Sequence, residues 1–227
     1  MTLSDIARAA RQRHYPTHAA RMADLIVHIV GLTLAVIGGG VLLGFSIATG
    51  KIGLIAAISI YAVGFIAMLA LSTIYNFAPP EKRDGRNKFD HAGIFLMIGA
   101  SYTPFTTQSL SGGWMWTMTA LVWTIVAICV AAKLLELKIP RKIWIAIYIA
   151  LGWIVLIASY PLMQSVHWVS LLLLLIGGIV YSVGVIFHVK RSIPFSKAVW
   201  HGHVVTAASV HWVAIFLGVV LIPGYLA

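Results

Sequence analysis

Four pairs of polar residues interrupt a chain otherwise built of apolar runs: Asp24 and His28, Ser72 and Asn76, Asp90 and His91, and Lys197 and His201. In three of them the partners are i and i+4, which places both side chains on one helix face. Carboxylates and imidazoles so arranged can hold a cation, relay a proton or form ion pairs. Ser72 adds a hydroxyl, Asn76 an amide and Lys197 an ammonium. His211 follows His201 on the same run, about 15 Å deeper at a rise of 1.5 Å per residue.

Composition identifies the elements that must position these groups. The 227 residues are 60% hydrophobic and 10% charged, with a mean hydropathy of +0.95, whereas soluble domains carry roughly 25% charged residues. Long apolar runs, rather than short alternating ones, predict an all-α membrane protein and exclude a β-barrel. Stretches of span length fall near 24–48, 53–77, 90–110, 115–135, 143–162, 167–188 and 198–221, which predicts a seven-transmembrane helix bundle over 23–227. Before it lies a basic segment, residues 1–22. Residues 4–14 of that segment can form a short helix on the membrane surface. With no continuous apolar stretch there, a cleaved signal peptide is not expected.

Charge sets the expected orientation. Arg8, Arg11, Arg13 and Arg21 precede the first span; Lys82, Arg83, Arg86 and Lys88 separate the second and third. Lys133, Lys138, Arg141 and Lys142 join the fourth and fifth, and Lys190, Arg191 and Lys197 the sixth and seventh. Of the 16 cations only Lys51 falls on the other side, so the N-terminus is expected in the cytoplasm and the C-terminus outside. The net charge of +10 thus reflects topology and anionic lipid, with no nucleic-acid partner expected. Cys129 is the single cysteine, which excludes an intramolecular disulfide.

With that orientation the four pairs lie at one height, near the cytoplasmic leaflet. Each also has an ordinary reading. Asp90 can cap a helix N-terminus, Lys197 can snorkel to the headgroups, and Asn76 and His211 can hydrogen-bond to neighbouring helices.

The span-end motifs carry a family resemblance. "STIYN" at 72–76, "DH" at 90–91, "YTPF" at 102–105 and "KAVWH" at 197–201, with His28 and His211, resemble the hemolysin III family, the bacterial branch of the progestin and adipoQ receptors. The resemblance implies a zinc ion held by three histidines near the cytoplasmic leaflet and a ceramidase-like hydrolysis of lipid amides. In that chemistry Ser72 and Asp90 would be the catalytic helpers. Two of the three ligand positions are here Asn76 and Lys197, which leaves His201. An amide is a poor zinc ligand and an ammonium repels the ion, so no metal cofactor is expected. Arg21 and Asp24 stand where the family tends to have Glu and Asn.

The favoured expectation is a non-catalytic member, responsive to a lipid or small ligand. In it a polar network of Asp24, His28, Asn76, His91, Lys197, His201 and His211 centres on an Asp90–Lys197 ion pair. The alternative is a metal-dependent lipid-amide hydrolase that recruits zinc through His201, Asp90 and His28 or Asp24. A pore, as the family name suggests, is disfavoured because the outer halves of the spans are almost purely apolar. A retinal protein is rejected because its lysine belongs mid-span with the opposite topology.

Overall fold

The computed structural model describes residues 14–221, and every regular element among them is helical. Helix α1 (His18–Ala48) is opened by Thr17, whose hydroxyl accepts from the Ala20 amide at 3.1 Å, satisfying a donor that the first turn leaves unpaired. It is followed by α2 (Ile52–Asn76), α3 (Pro80–Gln108) and α4 (Gly112–Leu134). Pro80 suits the first turn of α3 because the missing N–H would have no partner there. The rest comprises α5 (Arg141–Gly152), α6 (Ser159–Ser165), α7 (Trp168–Val189) and α8 (Ser196–Ile215), the last running into π-helical turns at Phe216–Leu221. All but His14 of the expected surface helix at 4–14 lies outside the described residues.

Six helical segments are long and apolar enough to cross a membrane. Their outward faces carry exposed Ile26, Ile37, Val63 and Ile128, the arrangement expected where the solvent is lipid. Helix α3 is not among the six: charges run from Glu81 to Asp90 in its first turns, and Ser101, Thr103, Thr106, Thr107 and Gln108 lower the hydropathy of the rest. From His91 to Gln108 it holds no Asp, Glu, Lys or Arg.

The expected continuous span 143–162 is broken. Helix α5 stops at Gly152, a 3-10 stretch covers Ile154–Ala158, and α6 resumes at Ser159. Backbone freed within an apolar slab needs a partner, and Tyr102 of the "YTPF" motif supplies it. Its hydroxyl donates to Gly152 O at 2.9 Å and accepts from Val155 N at 2.9 Å.

Helix α2 packs along α3 and α1, and α8 packs along α7 and α1. Gly64 allows the closest approach of α2 to α3, since a Cβ there would collide with Ala100. Tyr61, Phe65 and Phe95 are fully buried between the helices. This packing brings the start of α1, the end of α2 and the starts of α3 and α8 to one end of the bundle.

Candidate functional site

Asp24 on α1 is the hub of that end. Its side chain is fully buried. Oδ1 accepts from His201 Nδ1 of α8 at 2.6 Å, and Oδ2 accepts a short hydrogen bond from the Tyr15 hydroxyl. One turn on, His28 Nδ1 donates to the Asp24 backbone carbonyl at 2.8 Å. A carbonyl only accepts, so Nδ1 carries the proton and Nε2 is left to accept from the Ser72 hydroxyl at 3.3 Å. The His28 and His201 rings lie edge to face with centroids 4.5 Å apart.

Helix α2 continues the chain of contacts. Asn76 Nδ2 donates to the Ser72 carbonyl at 3.0 Å, which aims the amide oxygen outward. That Oδ1 accepts from Lys197 Nζ at 3.2 Å. The same ammonium lies 2.7 Å from Nε2 and 2.9 Å from Nδ1 of His14; a neutral imidazole offers one acceptor, so one of these is the hydrogen bond. The Tyr15 ring centroid is 4.8 Å from Nζ. Burial, with Lys197 alongside, holds the His14 imidazole down at about 3. Burial and the Asp24 carboxylate push the Tyr15 hydroxyl well above its usual range.

Three helices thus join Asp24, His28, Ser72, Asn76, Lys197 and His201 in one network, and the structure adds His14 and Tyr15. The expected Asp90–Lys197 ion pair is not formed. Among the described residues the contacts of ion-pair distance are Lys88–Glu136, and His28–Asp24 and His201–Asp24, the last two charged only where the imidazole is protonated. The physical reason is competition for partners: the Lys197 ammonium is taken by His14 and Asn76, and His201 by Asp24. Asp90 and His91 instead face an open chamber of about 370 Å³, which Ser72, Asn76, Lys197 and His201 also line. His211 lies outside this network and lines a neighbouring apolar cleft, with Nε2 donating to Leu174 O of α7 at 3.2 Å in space left by Gly177. It serves as an interhelical tie.

Next to the chamber lies an apolar cleft of about 140 Å³ between α3, α5, α7 and α8, walled by Met97, Ile98, Ile149 and Val185. His91, Ile94, Ile145, Tyr148 and Trp200 border both spaces.

The three positions at which the resemblance implies zinc do not fit the ion, because the Lys197 ammonium and the Asn76 amide are bonded to each other. A second donor set is adjacent. Asp24, His28 and His201 each present a ligand atom within 4.8 Å of the others, and two imidazoles with a carboxylate are right in kind for zinc. At present those donors are spent on one another and on Tyr15 and Ser72.

His14 and Tyr15 escaped the sequence reading because they lie in a short stretch beside Pro16, without helical periodicity. The signal available was the "HYP" triplet, two polar aromatics immediately before the first span.

Comparison with known proteins agrees with the motifs. Residues 21–212 match the family model described as Haemolysin-III related. Hemolysin-3 of Bacillus cereus is 30% identical over 181 residues, 79% of this chain and 83% of that one. The Hemolysin-3 homolog of Bacillus subtilis (strain 168) is 29% identical over 203 residues, 89% and 95% of the two chains. The human monocyte to macrophage differentiation factor is 27% identical over 164 residues, 69% and 68%. The matched stretch spans Asp24 to His211, whereas His14 and Tyr15 precede it.

Proposed function

The chain belongs to the haemolysin-III-related family, and from that premise we propose a seven-span, non-catalytic membrane protein. It binds a one-tailed amphiphile and keeps a side-chain network where relatives are expected to hold a metal. The part of α3 beyond His91 supplies the seventh span, the N-terminus faces the cytoplasm and, in a bacterium, the membrane is the inner one. The observation that carries this reading is the Lys197 ammonium, hydrogen-bonded to Asn76 and His14, with a polar chamber beside it and an apolar cleft next to the chamber. The chamber suits a polar head and the cleft an aliphatic tail.

The network leaves little to drive a reaction. Asp24 is committed to Tyr15 and His201, and the Ser72 hydroxyl is shared among His28, Asn76 and Asp90. These contacts instead tie α1, α2 and α8 to the segment before α1, so that ligand entering the chamber meets a braced wall.

One observation favours a second reading, a metal-dependent lipid-amide hydrolase: the Asp24–His28–His201 trio, with Ser72 adjacent. Zinc bound there would act as a Lewis acid and activate water. Native mass spectrometry of the detergent-released protein separates the two. The binding reading expects a metal-free protein carrying a one-tailed lipid. One zinc per chain in the wild type, lost in His201→Ala, would instead establish the metal site.

A further inference from the structure

Besides Lys197, three cations line the chamber. They come from separate parts of the chain: Lys133 ends α4, Arg141 begins α5 and Arg191 follows α7. All three act electrostatically on His91, and Arg141 and Arg191 act on each other. Among the described residues none has a carboxylate within ion-pair distance. Lys133 lies 3.8 Å from the centroid of Trp144, and Arg141 Nη2 donates to the His188 carbonyl at 2.5 Å. Arg191 makes no side-chain hydrogen bond to the described residues.

Topology explains why cations lie at this end, since short cytoplasmic loops collect them. It does not explain three from different loops turned to the rim of one cavity without an acidic partner. Like charges held together repel unless an anion joins them. Asp90, the one carboxylate lining the chamber, is not in ion-pair contact with any of them.

We propose that Lys133, Arg141 and Arg191 form a binding site for a phosphate monoester, whose lipid tail extends into the apolar cleft. This site rests on the amphiphile reading and supplies its headgroup. Two guanidinium forks and an ammonium match the three oxygens and double charge of a phosphate monoester; a carboxylate would need only one. Ile94, Ile145 and Tyr148 line both spaces, so head and tail can be held at once.

The test measures binding to the purified protein in a non-ionic detergent, read by the fluorescence of tryptophan, since Trp144 lies under Lys133. Four probes are compared: lysophosphatidate, a monoacylglycerol of the same chain length, the matching fatty acid, and inorganic phosphate. Lysophosphatidate should bind at least about tenfold more tightly than the other two lipids. Arg191→Gln should weaken it about tenfold, Arg191→Lys less, and neither should alter monoacylglycerol binding. Because Arg191 has no structural hydrogen bond to lose, this variant is separable from a folding defect, which melting temperature checks. Inorganic phosphate that binds as tightly as lysophosphatidate, and equally loses affinity in Arg191→Gln, would support the phosphate site with free phosphate as its source. Equal affinity for lysophosphatidate and monoacylglycerol would overturn the headgroup site and leave the amphiphile reading standing. If none of the probes binds, both are wrong.

Discussion

Asp24 and Asp90 are carboxylates at the same end of the bundle, and the fold uses them in opposite ways. Asp24 is fully buried, accepts from Tyr15 and His201 and lies one turn from His28. Asp90 lines a chamber and makes no ion pair among the described residues. A buried charge is tolerable only when its partners offset desolvation, so removing it strands them. A charge on a cavity wall keeps water or ligand as a partner. The contrast separates a residue that holds the bundle together from one that is available to what enters it.

The sharpest test of that division is Asp24→Ala. It leaves the Tyr15 hydroxyl and His201 without their acceptor and should cost about 3–5 kcal/mol, read as a large fall in melting temperature in detergent. A small fall would erase the distinction. Next is a pair of double-mutant cycles. Asp24→Asn with His201→Gln should show a coupling of about 1–3 kcal/mol, whereas Asp90→Asn with Lys197→Met should be additive within about 0.5 kcal/mol. Appreciable coupling in the second cycle would restore the ion pair expected from sequence.

A smaller effect concerns acid. Burial holds His14 neutral with its pKa down at about 3, so the folded state binds fewer protons than the unfolded chain between that value and the ordinary one near 6.5. The contribution of His14 is fully present above about pH 6.5 and is lost as the pH falls toward 3. Melting temperature followed from pH 7 to 4 should decline less steeply in His14→Gln. The smallest change is expected for Asp90→Asn, under about 1 kcal/mol in stability. In the same protein its effect should fall on ligand binding, because Asp90 faces the chamber.

Much of the fold was legible in the residues. The spans appeared as runs of bilayer length, and the i and i+4 pairs Asp24–His28, Ser72–Asn76 and Lys197–His201 did share helix faces. His211, which could hydrogen-bond to a neighbouring helix, bonds Leu174 O. The break near Trp153 was not read from the sequence, because the run from Ile143 to Leu162 is free of charge and of span length, although Gly152 and Pro161 stand beside the break. Backbone groups at the break are bonded by a hydroxyl from α3, which the run itself does not record. His14 and Tyr15 were missed for a related reason: their partners Lys197 and Asp24 belong to helices, while they themselves precede the first one.

The sequence by itself determined a helical membrane protein of this family, with its polar groups gathered at one end. Hydrophobic length, charge counting and helical periodicity are local properties that one dimension records. Only the tertiary structure decided which carboxylate meets which cation. Such pairing depends on the rotation of each helix about its own axis and on side-chain reach of a few ångströms, and packing sets both. That packing gave His201 to Asp24, turned Lys197 to His14 and Asn76, and left Asp90 facing the chamber.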